Sequence, residues 1–130
     1  MSVLVLGSTG FIGKSLVERL DKEPVEVTGV SRSTGVNLLD YRQVSDCIAS
    51  VRPSVIYNVA SHGGSLHYVK KYAASVYSDN LQMGLNLYRA LVEQNSEAKI
   101  VQPFSNCSYP GNSSVQNEEN WLNGGVHPSI

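Results

Sequence analysis

The sequence predicts an α/β chain organised as a doubly wound parallel sheet of about five strands. Three observations carry that expectation. Short apolar runs rich in Val and Leu, beginning with SVLVL at residues 2–6, alternate with longer stretches whose apolar residues recur at helical spacing. The first run stops at Gly7, and Gly10 and Gly13 follow at the threshold of the first helical stretch. No internal repeat or low-complexity tract interrupts the alternation, and strands alternating with helices close most simply as a parallel sheet covered on both faces.

Residues 2–6 have no polar alternation, the profile of a strand buried on both sides. From Phe11 to Leu20 the apolar positions Phe11, Ile12, Leu16, Val17 and Leu20 follow a helical period, which Asp21-Lys22-Glu23-Pro24 ends. Val25 to Val30 reads as a second strand and Val36 to Leu38 as a short third. Tyr41 to Val51 reads as a helix with Asp40 as its N-cap. Ser54 to Val59 is the expected fourth strand, Leu66 to Gln94 one long helix or two abutting ones, and Lys99 to Phe104 the fifth strand. From 105 to 130 the periodicity is lost and turn residues accumulate, so this stretch is expected to be mostly loop. Loops of that length are functional or belong to something larger.

With 130 residues the chain is expected to form one domain. Its formal net charge is −1, and no run of Lys or Arg exceeds the pair Lys70-Lys71, which argues against nucleic acid or an anionic membrane as partner. The apolar start is too short for a secretory signal and runs directly into the glycines. Cys47 and Cys107 form no disulfide framework, and His62, His67 and His127 do not cluster with them, so no metal site is expected. A reduced, cytoplasmic protein with a small-molecule ligand fits this composition.

The stretch LGSTGFIGKS at 6–15 resembles two phosphate-binding loops at once. The loop of nucleotide hydrolases requires a glycine five residues before Gly13, where this chain has Ser8. The spacing that holds is Gly7-x-x-Gly10-x-x-Gly13 between a strand and a helix, the context of a dinucleotide-binding, Rossmann-type turn. In that reading Gly7 makes the tight turn, Gly10 admits the pyrophosphate, and Gly13 lets helix and strand approach. Ser8, Thr9, Phe11 and Ile12 complete the cofactor-binding loop, and the helix start offers amides and positive potential to the phosphates. Lys14 then falls within the helix as a surface residue.

The adenosine half of such a cofactor is read at the end of the second strand, where a carboxylate selects NAD and a cation accepts the extra phosphate of NADP. The chain has Val30-Ser31-Arg32-Ser33 and no carboxylate there, so Arg32 is either a phosphate cradle favouring NADP over NAD or an exposed loop arginine.

Taken with the glycine turn, the segments VNLLD at 36–40, VIYNVASHGG at 55–64, SDNLQMGLNLYRAL at 78–91 and FSNCSYPG at 104–111 resemble the extended short-chain dehydrogenase/reductase superfamily. Within it the similarity is to the NAD-dependent epimerase/dehydratase family, on the side of GDP-fucose synthase-like sugar-nucleotide enzymes. The resemblance covers essentially the whole chain and implies an NAD(P)-binding Rossmann domain over 1–130. It implies dinucleotide and nucleotide-sugar as ligands; separately, the uncovered side of the fifth strand and its sheet face favour self-association, so a homo-oligomer is an expected partner state.

By that resemblance Leu39 lies beside the adenine ring and Asp40 bonds its amino group, a role that does not exclude the N-cap. Val59, Ala60 and Ser61 run along the cofactor, with Asn58 and Ser61 replacing the more usual small apolar residues. Asn80 braces the central helix. Ser105 takes the place of the catalytic serine, and Cys107 that of an acid/base for epimerisation, although a thiol there is equally a packing residue. His62 either lines the sugar pocket or is a solvated loop residue.

The superfamily's chemistry rests on a tyrosine followed four residues later by a lysine. Tyr41, Tyr57, Tyr68, Tyr72, Tyr77, Tyr88 and Tyr109 are followed at that position by Ser45, Ser61, Tyr72, Val76, Leu81, Val92 and Ser113. The expectation is therefore a catalytically incomplete, NAD(P)-binding portion of a sugar-nucleotide epimerase, reductase or dehydratase. The alternative is a stand-alone, non-catalytic NAD(P)- or nucleotide-binding module.

Overall fold

The structure, a computed structural model, describes residues 1–105, 108–111, 115–121 and 123–125. Strands β1 (Ser2–Leu6), β2 (Glu26–Val30), β3 (Val55–Asn58) and β4 (Lys99–Val101) form one sheet in the order β2-β1-β3-β4, with every pairing parallel. Helices α1 (Phe11–Leu20), α2 (Tyr41–Val51), α3 (Leu66–Lys71) and α4 (Ala73–Glu93) make the connections.

Strand β1 is paired on both sides, Val3 opposite Val27 of β2 and Val55 of β3, and its residues 3–6 are buried. This is why it reads as an unbroken apolar run. Leu4, Leu6 and Ile56 join Val44 and Ile48 of α2 and Leu87, Ala90 and Leu91 of α4 in the main core. Val3 and Val5 alternate to the other face of the sheet, while α1 packs along β1 and β2. Outside the core, α2 and α4 are tied by Tyr41, whose hydroxyl donates to Glu93 and whose ring lies 4.2 Å beneath the Arg89 guanidinium.

The sheet has four strands among the described residues, and the expected third strand at Val36 to Leu38 is a correction. The Val36 amide bonds the Ser31 carbonyl at 3.0 Å, and the Asn37 side chain turns the chain by accepting from the Leu39 amide at 3.1 Å. Leu38 goes to the core as a plug, and its carbonyl is held by the Asn86 side chain at 2.8 Å. A three-residue segment satisfied by local turn bonds does not need a ladder.

The long helical stretch is two helices meeting at Tyr72, whose backbone leaves helical geometry at φ −117° and ψ 30°. The last strand ends at Val101, ahead of Pro103, which has no amide to donate. Beyond Val101 the described residues contain no further strand or α-helix, only short turns such as the 3-10 segment Glu118–Asn120 and an edge contact between Phe104 and Trp121.

Candidate dinucleotide site

The chain reverses direction across the sheet between β1 and β3: one neighbour leads back through α1, the other onward through α3 and α4. Open α/β sheets carry a crevice at that divergence, outside the carboxyl ends of the strands. Gly7 ends β1 with φ +84°, and its amide and that of Ser8 bond the Val30 carbonyl at 2.8 and 3.1 Å. A Cβ on Gly7 would lie 2.7 Å from the Ala60 Cα, and one on Gly13 only 2.1 Å from the Gly7 carbonyl oxygen. Both glycines are therefore demanded by backbone packing. Gly10 differs: a Cβ there meets only the Gly7 oxygen, at 3.2 Å, and otherwise faces the crevice.

Gly10 is also the N-cap of α1, with no side chain capping it and no acidic residue in the first turn. The first amide closed onto the helix is that of Lys14, which bonds Gly10. Those of Phe11, Ile12 and Gly13 belong to the helix start, which carries positive potential and suits an anion.

A cleft of about 820 Å³ opens above this turn. Gly7, Thr9, Gly10, Phe11 and Ile12 form its floor, and Val59, Ala60 and Ser61 one wall. Arg32 and Leu39 line its far end. Ser8, Gly13 and Asp40 do not line it. Gly13 lies under the turn, and Asp40 caps α2, its Oδ1 accepting from the amides of Arg42 and Gln43 at 2.9 and 3.3 Å and its Oδ2 from the Gln43 side chain at 3.1 Å. The N-cap role read from the sequence is made in the structure.

Arg32 opens a 3-10 turn, Arg32–Thr34, is exposed, and has no carboxylate partner among the described residues. Around it the hydroxyls of Thr9, Ser33 and Ser31 form a chain at 3.2 and 2.9 Å that ties the glycine turn to the end of β2. The buried end of that chain is locked by Thr34, which accepts from the Ser31 amide at 2.7 Å.

Across from the turn the cleft is lined by His62, whose side-chain partners were not visible in the sequence. His62 lies between Asp79, which faces its Nδ1 at 2.8 Å, and the Tyr68 hydroxyl, 2.9 Å from its Nε2. Asn80 holds the His62 backbone on both sides, accepting from its amide at 2.9 Å and donating to its carbonyl at 2.7 Å. Tyr68 reaches the histidine because Gly64 has no side chain: a Cβ there would stand 2.8 Å from the ring. Asn80, read as a brace, thus braces the segment lining the cleft.

Ser105 is exposed, bonds the Ser108 amide through its carbonyl at 3.1 Å, and lines neither this cleft nor the smaller cavity beside it. Cys107 lies outside the described residues. The resolved titration shifts fall away from the cleft. Burial pushes the Cys47 thiol up, and the Tyr41 hydroxyl bond holds the Glu93 carboxyl below its usual range. Among the described residues no group of three or more His, Cys, Asp or Glu is placed to hold a metal ion, and no helix is long and apolar enough to cross a membrane.

Residues 3–129 match the family model of the NAD dependent epimerase/dehydratase family. The chain belongs to this family. It is 30% identical over 109 residues to the GDP-L-fucose synthase of Escherichia coli (strain K12), a match covering 83% of this chain and 33% of the relative. It is 26% identical over 110 residues to the GDP-L-colitose synthase of Yersinia pseudotuberculosis, covering 85% and 35%. Among solved structures it shares the fold of a GDP-mannoheptose C4 reductase from Campylobacter jejuni with NADP bound, at TM-score 0.82 and 22% identity, over 98% of this chain and 38% of that one. The chain spans about a third of the length of the curated relatives it matches.

Proposed function

We propose that this chain is the dinucleotide-binding portion of a sugar-nucleotide epimerase or reductase, that its cofactor is NADP, and that the sugar it serves is linked to GDP. The observation that carries the reading is the glycine turn. Gly7 and Gly13 are fixed by packing, whereas Gly10 and the uncapped start of α1 face an open cleft at the divergence of the strands. A cradle whose one unfilled side would be closed by any Cβ suits a pyrophosphate held close to backbone.

Within that reading the amides of Phe11 and Ile12 hold the phosphates, Leu39 supports the adenine, and Val59, Ala60 and Ser61 lie along the cofactor. Arg32 and the Thr9–Ser33–Ser31 hydroxyls supply charge-assisted and neutral donors to a ribose phosphate, which supports NADP. The bound cofactor supplies the hydride; the protein orients it. The GDP-sugar assignment is supported by the two synthases to which the chain is similar. Ser105, on the segment following β4, would orient the sugar, and Cys107 would exchange its proton.

Calorimetry tests the cofactor choice. NADPH is expected to bind more tightly than NADH, and Arg32→Ala to remove most of the difference, since a hydrogen bond to a charged group contributes ~1.5 to 3 kcal/mol. Equal affinity of the unmodified chain for both cofactors contradicts the assignment.

A further inference from the structure

The two sides of the cleft offer a ligand different chemistry. The glycine turn offers backbone amides, whose charge does not vary with pH. Across from it stand His62, Tyr68 and Asp79; of the residues that line the cleft, Arg32 at the far end is the only other charged or titratable one. The Asn80 clasp on the His62 backbone fixes where the imidazole is presented. Behind Tyr68 the Tyr72 ring lies 4.9 Å away, with the Lys71 ammonium 5.2 Å over it.

Both ring nitrogens of His62 are engaged. An ionised carboxylate can only accept, so a neutral imidazole here carries its proton on Nδ1, facing Asp79, and its Nε2 accepts from the Tyr68 hydroxyl. A second proton, placed on Nε2, reverses that bond. The ring then donates, the phenol oxygen accepts, and the phenol proton turns away from His62. His62 is the one hydrogen-bond partner of the Tyr68 hydroxyl among the described residues, so the turned proton is available to a ligand. The wall changes charge in the same step: a neutral ring leaves the Asp79 carboxylate uncompensated, whereas a protonated one makes a neutral ion pair with it.

We infer that Asp79, His62 and Tyr68 act as a proton-dependent gate for anions in this cleft, admitting a dinucleotide more tightly once His62 is doubly protonated. The inference rests on the dinucleotide reading above. A diphosphate held by the turn faces an uncompensated carboxylate when the ring is neutral, and a neutral pair with an added hydroxyl donor when it is protonated. Repulsion across a cleft is screened less than in open water. By linkage, a ligand that binds the protonated form better draws a proton in as it binds.

The test is titration calorimetry with NAD⁺ and NADP⁺ at about pH 5.5 and about pH 8, near the two ends of the range in which imidazoles change charge. NAD⁺ is included because the 2′-phosphate of NADP⁺ itself titrates in that range. Both ligands are expected to bind the unmodified chain about tenfold more tightly at the lower pH, the scale of one charge-assisted hydrogen bond. Repeating the lower-pH titration in buffers of different ionisation enthalpy is expected to show proton uptake with NAD⁺. His62→Gln, which can still bond both neighbours but cannot gain charge, is expected to lose the uptake and the pH dependence for NAD⁺. Asp79→Asn is expected to tighten binding at about pH 8, where a merely structural role would weaken it. NAD⁺ affinity of the unmodified chain that does not change with pH, or the same pH dependence in a folded His62→Gln variant, overturns the inference and leaves the dinucleotide reading intact. Should His62→Gln not fold, the unmodified chain decides, and NAD⁺ binding without proton uptake overturns the inference. Failure of the unmodified chain to bind either ligand at either pH refutes the dinucleotide reading, and this inference with it.

Discussion

Gly7, Gly10 and Gly13 occupy one turn but answer different demands, and the sequence shows only their spacing. Gly7 and Gly13 are needed by the protein itself, where a Cβ would meet backbone at 2.7 and 2.1 Å. Gly10 is needed only if something fills the crevice. Asn80 is a second residue whose identity is set by backbone: its amide meets the His62 amide and carbonyl and, at 2.7 Å, the Val76 carbonyl. Asn80→Ala strips these partners, and removal of one side of such bonds costs ~1 to 3 kcal/mol. Denaturant unfolding is expected to show a loss of that size, with faster hydrogen exchange at the His62 amide. Unchanged stability would mean that water replaces the clasp at no cost.

At the scale of elements, the strongly periodic segments were readable and the short ones were not. The apolar run of β1, the helical spacing of α1 and α2 and the Asp40 cap lie where the sequence places them, because each is decided within a few neighbouring residues. Val36 to Leu38 was misread because its apolar residues serve as a core plug over Asn86, a contact 48 residues away in sequence. The His62–Asp79–Tyr68 arrangement was illegible for a similar reason, since it joins a loop to two helices with no spacing rule between them. Helix α4 also presents Tyr77, Leu81, Leu85, Tyr88 and Val92 to solvent at intervals of three and four residues, an apolar stripe along one face. We predict that the chain self-associates through this stripe as its concentration rises, and that Leu85→Lys returns it to monomer in sedimentation equilibrium. A parent chain that stays monomeric throughout excludes the stripe as a contact.

At the scale of the whole molecule, binding and catalysis separate. The sheet, the turn and the cleft supply the proposed dinucleotide site, whereas no tyrosine is followed four residues later by lysine, and the chain spans about a third of its curated relatives' length. Loss of a general acid/base typically lowers rates ~10²- to 10⁴-fold. Incubated alone with NADPH and a GDP-linked keto-deoxy sugar, the chain is expected to leave the reduced-nicotinamide absorbance unchanged; steady turnover would show a proton-handling group elsewhere, with His62 and Tyr68 the first to test. Binding at the glycine turn is tested most directly by titration of NADPH into the unmodified chain and into Gly10→Val, with far-ultraviolet circular dichroism recorded for both. A valine at that position projects into the crevice and presses only on the Gly7 oxygen. The predicted result is binding by the unmodified chain, none by the variant, and nearly superimposable spectra. Equal binding by a folded Gly10→Val variant, or no binding by either, would contradict the assignment of the turn.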